Sequence, residues 1–318
     1  MKIALLEPLG VTNGSIEELS KPLIAAGHTF VYYDRKTTDP AELMERAAGC
    51  EAVMIANNPF PDEVVSGCPD LKMIDVAFTG IDHVGLKACK KKGITVCNAA
   101  GYSDQTVAEA VIGMTVSLLR KLPACDAAVR AGGTSAGLKG REIAGRTVGI
   151  IGTGRIGTLT AKLFLAFGAK VIACSRTVKP EAEALGITYV GLPELMADSD
   201  IISLHVPNNA STRGLIGREM ISLMKPDAVF INFARGPIVD SAALADALNE
   251  GRIAGAAVDV FNVEPPIPET EPLLHAKNAL LTPHIGFLSE ESMIRRARIA
   301  FDNMISYVNG KPQNVCRF

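Results

Sequence analysis

The chain has 318 residues, 48% of them hydrophobic and 21% charged, which is typical of a folded globular protein. Its net charge of −2 and pI of about 6.2 argue against a nucleic-acid-binding surface, which is normally basic. No apolar run is long enough to span a membrane, and Glu7 interrupts the short N-terminal run, so we expect neither a membrane partner nor a secretory signal. The seven cysteines form no C-x-x-C pair and the five histidines are scattered, so we expect reduced thiols, a cytoplasmic location and no metal site.

The N-terminal part of the chain alternates short β-branched runs with helical patterns. The predicted strands are residues 3–6, 29–33, 52–55, 72–76 and 94–97. One of the intervening helices, at 39–48, has Asp39 as its expected N-cap and Pro40 in its first turn. Such alternation predicts a parallel sheet with helices on both faces.

A long apolar segment joins this part to the rest of the chain. Residues 102–121 predict a single helix that Ser103 or Asp104 can cap, and the glycine-rich residues 131–145 predict a loop. We interpret this region as the crossing between two domains.

A glycine motif then follows a predicted strand. Residues 148–151 form a short apolar run, and Gly152, Gly154 and Gly157 follow in G-x-G-x-x-G spacing. A helical pattern comes next, and a second strand at 170–174 completes a β-α-β unit. In that context the spacing predicts a dinucleotide site, with the pyrophosphate at the helix N-terminus. The alternative is a glycine turn in a parallel sheet that binds nothing.

Four later strands are predicted, at residues 201–204, 228–232, 255–258 and 279–281, and an ionisable residue follows each of the last three. These residues are Arg235, Glu264 and His284. Each alone has a structural explanation, as a surface ion pair, an exposed loop acid or a turn histidine. Because α/β sheets bind ligands at the carboxyl ends of their strands, the three together favour a site.

These segments resemble the D-isomer-specific 2-hydroxyacid dehydrogenases, a family that includes phosphoglycerate, glycerate and D-lactate dehydrogenases. The resemblance covers nearly the whole chain and rests on GTGRIG at 152–157, NFARGPIVD at 232–240, AAVDVFNVEP at 256–265 and LLTPHIG at 280–286. It implies an α/β protein with two doubly wound parallel-sheet domains. Residues 99–285 would form a Rossmann dinucleotide-binding domain, and residues 1–98 with 286–318 a flavodoxin-like substrate domain.

The resemblance also implies roles for individual residues. Arg235 would bind the substrate, His284 would be the acid/base and Glu264 its partner. Substrate contacts are implied for Phe78, Thr79, Gly80 and Ile81, although the family often has glycine where Phe78 stands, and this chain has no tryptophan. Cofactor contacts are implied for Gly152, Gly154, Arg155, Ile156, Gly157, Ser175, Arg176, Thr177, His205, Val206, Pro207, Thr212, Phe233, Ala234, Asp259 and Gly286.

The end of the second strand of the β-α-β unit bears on the choice of cofactor. NAD-specific relatives have an acidic residue there, whereas this chain has Ser175, followed by Arg176 and Thr177. Serine does not repel a 2′-phosphate and Arg176 can pair with it, so NADP is predicted to be preferred, with NAD possible. The alternative is a solvated basic turn.

The resemblance implies hydride transfer between a nicotinamide and a 2-oxo or D-2-hydroxy acid, as in hydroxypyruvate and glyoxylate reductases. It also implies that the protein is a homodimer. A histidine can supply the proton that this reduction requires, and an arginine can hold the substrate carboxylate. One alternative is a glycerate or phosphoglycerate-type dehydrogenase that uses NAD. Another is a non-catalytic binding protein, similar to the family's NAD(H)-sensing corepressors.

Overall fold

The computed structural model describes residues 1–264 and 266–318. Pro265, the last residue of the predicted AAVDVFNVEP segment, lies outside the described residues. The chain divides into two compact units, Met1–Ser103 with Leu288–Phe318 and Asp104–Phe287. The divisions thus follow residues 103 and 287, where the sequence predicts 98 and 285.

The elements alternate regularly along the chain. The strands are β1 (Lys2–Leu5), β2 (Thr29–Tyr32), β3 (Ala52–Ile55), β4 (Met73–Val76), β5 (Thr95–Asn98), β6 (Thr147–Ile151), β7 (Lys170–Cys174), β8 (Thr188–Tyr189), β9 (Ile201–Leu204), β10 (Val229–Asn232), β11 (Gly255–Val258) and β12 (Ala279–Leu281). The α-helices are α1 (Asn13–Ala25), α2 (Pro40–Arg46), α3 (Asp62–Gly67), α4 (Leu86–Lys92), α5 (Asp104–Leu119), α6 (Leu122–Arg130), α7 (Arg155–Ala166), α8 (Pro180–Glu183), α9 (Leu192–Asp198), α10 (Arg218–Ser222), α11 (Ser241–Asn249) and α12 (Glu290–Val308). Short 3₁₀ helices occupy Gly236–Ile238 and Pro272–His275.

The first unit contains a five-stranded parallel sheet in the order β2-β1-β3-β4-β5. This is the flavodoxin-like order, as predicted. Asp39 caps α2 as the sequence predicts, since its carboxylate accepts a hydrogen bond from the Ala41 N–H at 3.0 Å. Phe301 of α12 belongs to the same buried cluster as Leu5 and Met54 of the sheet, so the C-terminal helix is part of this core.

The second unit contains a seven-stranded parallel sheet in the order β12-β11-β10-β9-β6-β7-β8. From β8 to β11 this is the Rossmann order, with β12 added at the edge. The strand order reverses between β6 and β9, which are neighbours, so the ligand crevice of such a sheet lies beyond their carboxyl ends. The two sheets confirm the predicted fold class.

Both faces of the second sheet are buried. In β10, Ile231 belongs to the same buried cluster as Val111 of α5 and Phe164 of α7. Phe230 belongs to the opposite cluster, with Leu244 of α11. A strand covered on both faces needs an almost continuous apolar sequence, which is the pattern that predicted it.

The region 102–130 differs from the prediction of one helix over 102–121. Helix α5 ends at Leu119, and Lys121 has a φ of +53°, a left-handed conformation that interrupts the helix. Helix α6 then begins at Leu122, although the sequence did not predict a helix there. No side chain of α6 is buried, so the apolar residues of this helix are not part of the unit's core.

Candidate active site

The glycine turn lies between β6 and α7, where the strand order reverses. Gly152 has a φ of +97°, and a Cβ at this position would lie 2.7 Å from the carbonyl oxygen of His205. A Cβ at Gly157 would collide with the carbonyl oxygen of Gly152, so only glycine lets α7 pack against the turn. A Cβ at Gly154 would meet open space, and no side chain caps the first turn of α7. The N–H groups at the start of α7 are therefore open to an anionic ligand.

Arg155, the first residue of α7, extends from the glycine turn. Its side chain is 72% exposed, and its Nε donates a hydrogen bond to Oδ2 of Asp104 at 2.6 Å. Asp104 is the first residue of α5, so the ion pair joins two helix N-termini. Ile156 is half-buried against the core beneath the turn.

Ser175 directly follows β7, and the turn is held to that strand by a 2.8 Å hydrogen bond from the Gly152 N–H to the Cys174 carbonyl oxygen. Arg176 and Thr177 are exposed. Within the described part of the chain, Arg176 has no hydrogen bond or ion pair. No carboxylate ends this strand, so the strand end itself adds no negative charge that would repel a phosphate.

His205 follows β9 and lies beneath the glycine turn. Its Nε2 is 2.8 Å from Oγ of Ser203, and burial lowers the pKa of the imidazole to about 4. His205 is therefore neutral at physiological pH and supports the turn by packing, without adding charge. After Val206, Thr212 closes the following loop, because its hydroxyl donates to the Pro207 carbonyl oxygen at 2.6 Å.

Three neighbouring strands bring the predicted ionisable residues to one edge of the sheet. In the register of β10, β11 and β12, Asn232 pairs with Val258 and Val258 with Leu281. Arg235, Glu264 and His284 follow these three strand ends in turn. The pairing explains why residues far apart in sequence share this edge.

His284 and Glu264 form a direct pair. Nδ1 of His284 is 2.6 Å from Oε2 of Glu264, and the side chains are 25% and 22% exposed. The second carboxylate oxygen, Oε1 of Glu264, accepts a hydrogen bond from the Phe261 N–H at 2.5 Å. His284 has a φ of +55°, and its N–H donates to the Asp259 carbonyl oxygen at 2.8 Å. A non-glycine residue held in this conformation indicates that the surrounding loop determines where the imidazole lies.

Asp259 is the buried anchor of that loop. Its Oδ1 accepts hydrogen bonds from the Thr282 hydroxyl at 2.6 Å and the Ile285 N–H at 2.8 Å, and its Oδ2 accepts one from the Gly286 N–H at 2.8 Å. Burial raises the pKa of this carboxyl, while these hydrogen bonds act in the opposite direction. The carboxylate thus holds the segment on either side of His284.

Two glycines allow the three loops to pack closely. A Cβ at Gly286 would lie 2.7 Å from the ring of Phe233, the buried residue that follows β10. A Cβ at Gly236 would collide with the backbone of Phe261. Any larger residue at either position would push the loops apart.

The turn that carries Arg235 is held by Asn232. The Asn232 side chain accepts a hydrogen bond from the Ala234 N–H at 3.0 Å and donates one to the Arg235 carbonyl oxygen at 3.2 Å. The Arg235 guanidinium donates to the Ala234 carbonyl oxygen at 2.8 Å and is half-buried. Its fork geometry suits a carboxylate.

Residues 112–286 match the NAD-binding domain of D-isomer specific 2-hydroxyacid dehydrogenases. The chain is 34% identical over 322 residues to a hydroxypyruvate reductase of Blautia hydrogenotrophica, with 99% of each chain covered. It is 39% identical over 297 residues to a glycerate dehydrogenase of Methylorubrum extorquens, with 91% of this chain and 92% of that one covered. The chain belongs to the D-isomer-specific 2-hydroxyacid dehydrogenase family.

A solved structure is similar over the whole length of the chain. The acyclic imino acid reductase Bsp5, in complex with NADPH and D-Arg, matches with a TM-score of 0.89 at 31% identity and 100% coverage of both chains. As a member of this dehydrogenase family, the protein is an NAD(P)-dependent oxidoreductase of 2-hydroxy acids, which confirms the predicted class of enzyme. The crowded Gly152 and Gly157 and the uncapped start of α7 fit a dinucleotide.

The predicted substrate residues of this dehydrogenase lie in the first unit, after β4. Phe78 is buried, and its ring centroid lies 5.9 Å from that of Tyr102. The carbonyl oxygen of Phe78 accepts a hydrogen bond from the Ala99 N–H at 3.0 Å. Thr79 is exposed, while Gly80 and Ile81 are partly exposed. Their contact with substrate stays a prediction.

Three residues that contact the glycine turn or the start of α7 were not predicted as site residues: Asp104, Thr153 and Tyr189. Asp104 pairs with Arg155, and the hydroxyl of Tyr189 donates to Thr153. The only local sequence signal is the position of Thr153 between two glycines, since the other contacts join distant segments.

Among the described residues, no helix combines the length and the apolar character that a membrane span requires. Nor do the described residues contain a group of three or more His, Cys, Asp or Glu side chains arranged to hold a metal ion.

Proposed function

We propose that the protein reduces a small 2-oxo acid of the hydroxypyruvate or glyoxylate type to the D-2-hydroxy acid. The observation that carries the proposal is the 2.6 Å hydrogen bond between His284 and Glu264, at the strand edge that also holds Arg235. Similarity to a hydroxypyruvate reductase over 99% of both chains supports the substrate class.

In this proposal His284 is the proton donor. Nδ1 faces Glu264, and Nε2 is the nitrogen proposed to face the substrate. His284 gives its Nε2 proton to the carbonyl oxygen as the alcohol forms, and the Glu264 carboxylate orients the ring through Nδ1. Oxidation of the hydroxy acid reverses this transfer, with neutral His284 as the base.

Arg235 has the role of holding the substrate carboxylate. Two parallel hydrogen bonds from its guanidinium fix the orientation of the acid, and its positive charge polarises the adjacent carbonyl group. The Asn232 side chain keeps the turn in place. Substrate contact by the backbone N–H groups of Thr79, Gly80 and Ile81 of the first unit is also part of the proposal.

The dinucleotide would be held by the glycine turn and the loops beside it. A bound nicotinamide supplies the hydride for the carbonyl carbon. The proposed contacts with the pyrophosphate are Gly152, Gly154, Arg155, Ile156 and Gly157, and those with the adenosine ribose are Ser175, Arg176 and Thr177. The proposed contacts with the rest of the dinucleotide are His205, Val206, Pro207, Thr212, Phe233, Ala234, Asp259 and Gly286. NADPH is the proposed preference, because Arg176 is exposed and no carboxylate ends β7.

A homodimer formed through α6 is part of the proposal. No side chain of this helix is buried, and Val129 is 73% exposed and Leu122 48% exposed. An apolar face of this kind supports a second copy of the chain as its partner. Sedimentation equilibrium should give twice the chain mass of 33.6 kDa, and Val129→Asp should shift the protein towards one chain mass. A wild-type monomer at micromolar concentration would contradict the dimer.

The decisive experiment follows nicotinamide absorbance with NADPH and NADH against glyoxylate, hydroxypyruvate, pyruvate and 4-hydroxyphenylpyruvate. The reverse reaction uses D-glycerate and D-3-phosphoglycerate. We expect reduction of at least one small 2-oxo acid, faster with NADPH. Cofactor binding without turnover of any acid would overturn the proposal in favour of a binding protein.

A further inference from the structure

The hydroxyl of Tyr189 joins two cofactor-side segments of the second unit. It donates a hydrogen bond to Oγ1 of Thr153 at 2.9 Å and accepts one from the Lys179 N–H at 3.2 Å. Thr153 stands between Gly152 and Gly154, and Lys179 is the last residue before α8. One side chain therefore contacts both the glycine turn and the end of the segment 175–179, named here the basic turn.

The Thr153 end of this connection is rigid. Thr153 is 1% exposed, and its carbonyl oxygen accepts a hydrogen bond from the Thr158 hydroxyl in α7 at 3.2 Å. A buried hydroxyl that lost its partner would be costly, so the contact with Tyr189 is expected to persist in solution.

The Tyr189 end is also held in place. Tyr189 pairs with Ala173 of β7, and the Val190 N–H donates to the Ala173 carbonyl oxygen at 2.9 Å. The half-buried ring packs against the cluster that contains Ile187. The position of the phenol is therefore fixed by the surrounding structure, and its hydrogen bond can hold the basic turn in place.

The basic turn itself has little other support. Arg176, Thr177 and Val178 are all exposed, and among the described residues the turn is attached through Cys174 in β7 and through the Lys179 N–H. Without the hydrogen bond to Lys179, this turn would sample more conformations. Binding would then have to order it, which weakens affinity for the group that it recognises.

We propose that Tyr189 is a positioning residue that tethers the basic turn to the glycine turn and thereby increases the preference for NADPH over NADH. The inference rests on the proposed function, in which Ser175 and Arg176 meet the 2′-phosphate. Because NADH lacks that phosphate, a loose basic turn weakens NADPH binding more than NADH binding. Tyr189 does not touch the reacting atoms in this role.

The test compares Tyr189→Phe, Thr153→Val and the double variant with the wild-type enzyme. Tyr189→Phe removes the hydrogen bonds to Thr153 and from Lys179, and the loss of this neutral connection should raise the KM for NADPH about two- to tenfold and the KM for NADH less. The KM for the oxo acid, and kcat at saturating NADPH, should not change. The double variant should resemble Tyr189→Phe, because that change already removes both hydrogen bonds, and Thr153→Ser, which keeps the hydroxyl, should resemble the wild type.

Tyr32→Phe is the matched control, because Tyr32 lies in β2 of the first unit. An unchanged ratio of the two cofactor KM values in Tyr189→Phe would overturn the inference. So would a double variant in which the effects of the single variants multiply. If Tyr189→Phe does not fold, Thr153→Val still removes the hydrogen bond that joins the phenol to the glycine turn, and the same ratio of KM values tests the connection.

The two proposals fail separately. The cofactor preference is measured on the wild-type enzyme, and a preference for NADH there would contradict it. The role of Tyr189 is measured as the change in the ratio of the KM values for NADPH and NADH between Tyr189→Phe and the wild type. If the wild type prefers NADPH and Tyr189→Phe keeps the same ratio, only the proposal for Tyr189 is contradicted.

Discussion

His284 and Glu264 are separated by 20 residues in the chain, yet Nδ1 of the histidine lies 2.6 Å from Oε2 of the glutamate. The backbone reinforces this pairing at both ends, since Phe261 donates to Glu264 and His284 donates to the Asp259 carbonyl oxygen. The pair is therefore built into two loops before any substrate arrives.

The first prediction concerns the proposed proton donor. His284→Ala should lower kcat for reduction about 10²–10⁴-fold, because the carbonyl oxygen loses its general acid. The Kd for NADPH, measured by fluorescence titration, should change little. His275→Ala, an exposed histidine of the same unit, is the control and should keep full activity. A near wild-type kcat in His284→Ala would exclude His284 as the donor.

The second prediction concerns Arg235. Arg235→Lys should raise the KM for the oxo acid and lower kcat, although it keeps the charge, because lysine cannot make two parallel hydrogen bonds to a carboxylate. Steady-state kinetics at saturating NADPH measures both. Arg252→Lys is the control, since the Arg252 side chain forms an ion pair with the exposed Glu250. Unchanged kinetics for Arg235→Lys would remove this residue from the substrate site.

The third prediction concerns cofactor choice. Arg176→Ala should remove most of the preference for NADPH, which a charged hydrogen bond would set at about ten- to hundredfold. The measurement is kcat/KM for NADPH and NADH with one oxo acid at saturation. Arg218→Ala, which removes an exposed arginine paired with Asp246, serves as the control. A preference that survives in Arg176→Ala would show that another group recognises the phosphate.

The fourth prediction concerns the pH dependence of stability. Asp75 in β4 is fully buried, Asn303 donates to its Oδ1 at 2.9 Å, and its Oδ2 has no partner within the described residues. Burial raises the pKa of this carboxyl well above its usual range, so the folded protein keeps a proton that the unfolded chain releases. Asp75 therefore makes the free energy of unfolding fall as the pH rises above about 4, where the unfolded carboxyl ionises.

Asp75→Asn should remove that contribution, because the amide carries no titratable proton and can still accept from Asn303. Urea unfolding at pH 5 and pH 8 should show a smaller fall in stability for the variant than for the wild type. Asp70→Asn, at an exposed position, should behave as the wild type. An identical pH dependence in Asp75→Asn and wild type would mean that Asp75 does not hold the proton.

The sequence alone determined the class of fold and the location of the cofactor turn. Gly152, Gly154 and Gly157 follow a strand and begin a helix, and local backbone geometry is enough to impose that pattern. The apolar runs of the parallel strands are equally local, because a strand covered on both faces must be apolar throughout. Arg235, Glu264 and His284 were recognisable because each breaks such a pattern at a strand end.

Only the tertiary structure decided which of these residues meet. The parallel pairing of β10, β11 and β12 places three strand ends side by side, and the loops then bring Glu264 to His284. Helix α6 was not predicted from the sequence, and none of its side chains is buried in the core of this unit. The Tyr189–Thr153 bond spans 36 residues and depends on the β7–β8 register, which neither segment encodes by itself. Contacts between distant segments are set by the packing of whole elements, so no local sequence pattern contains them.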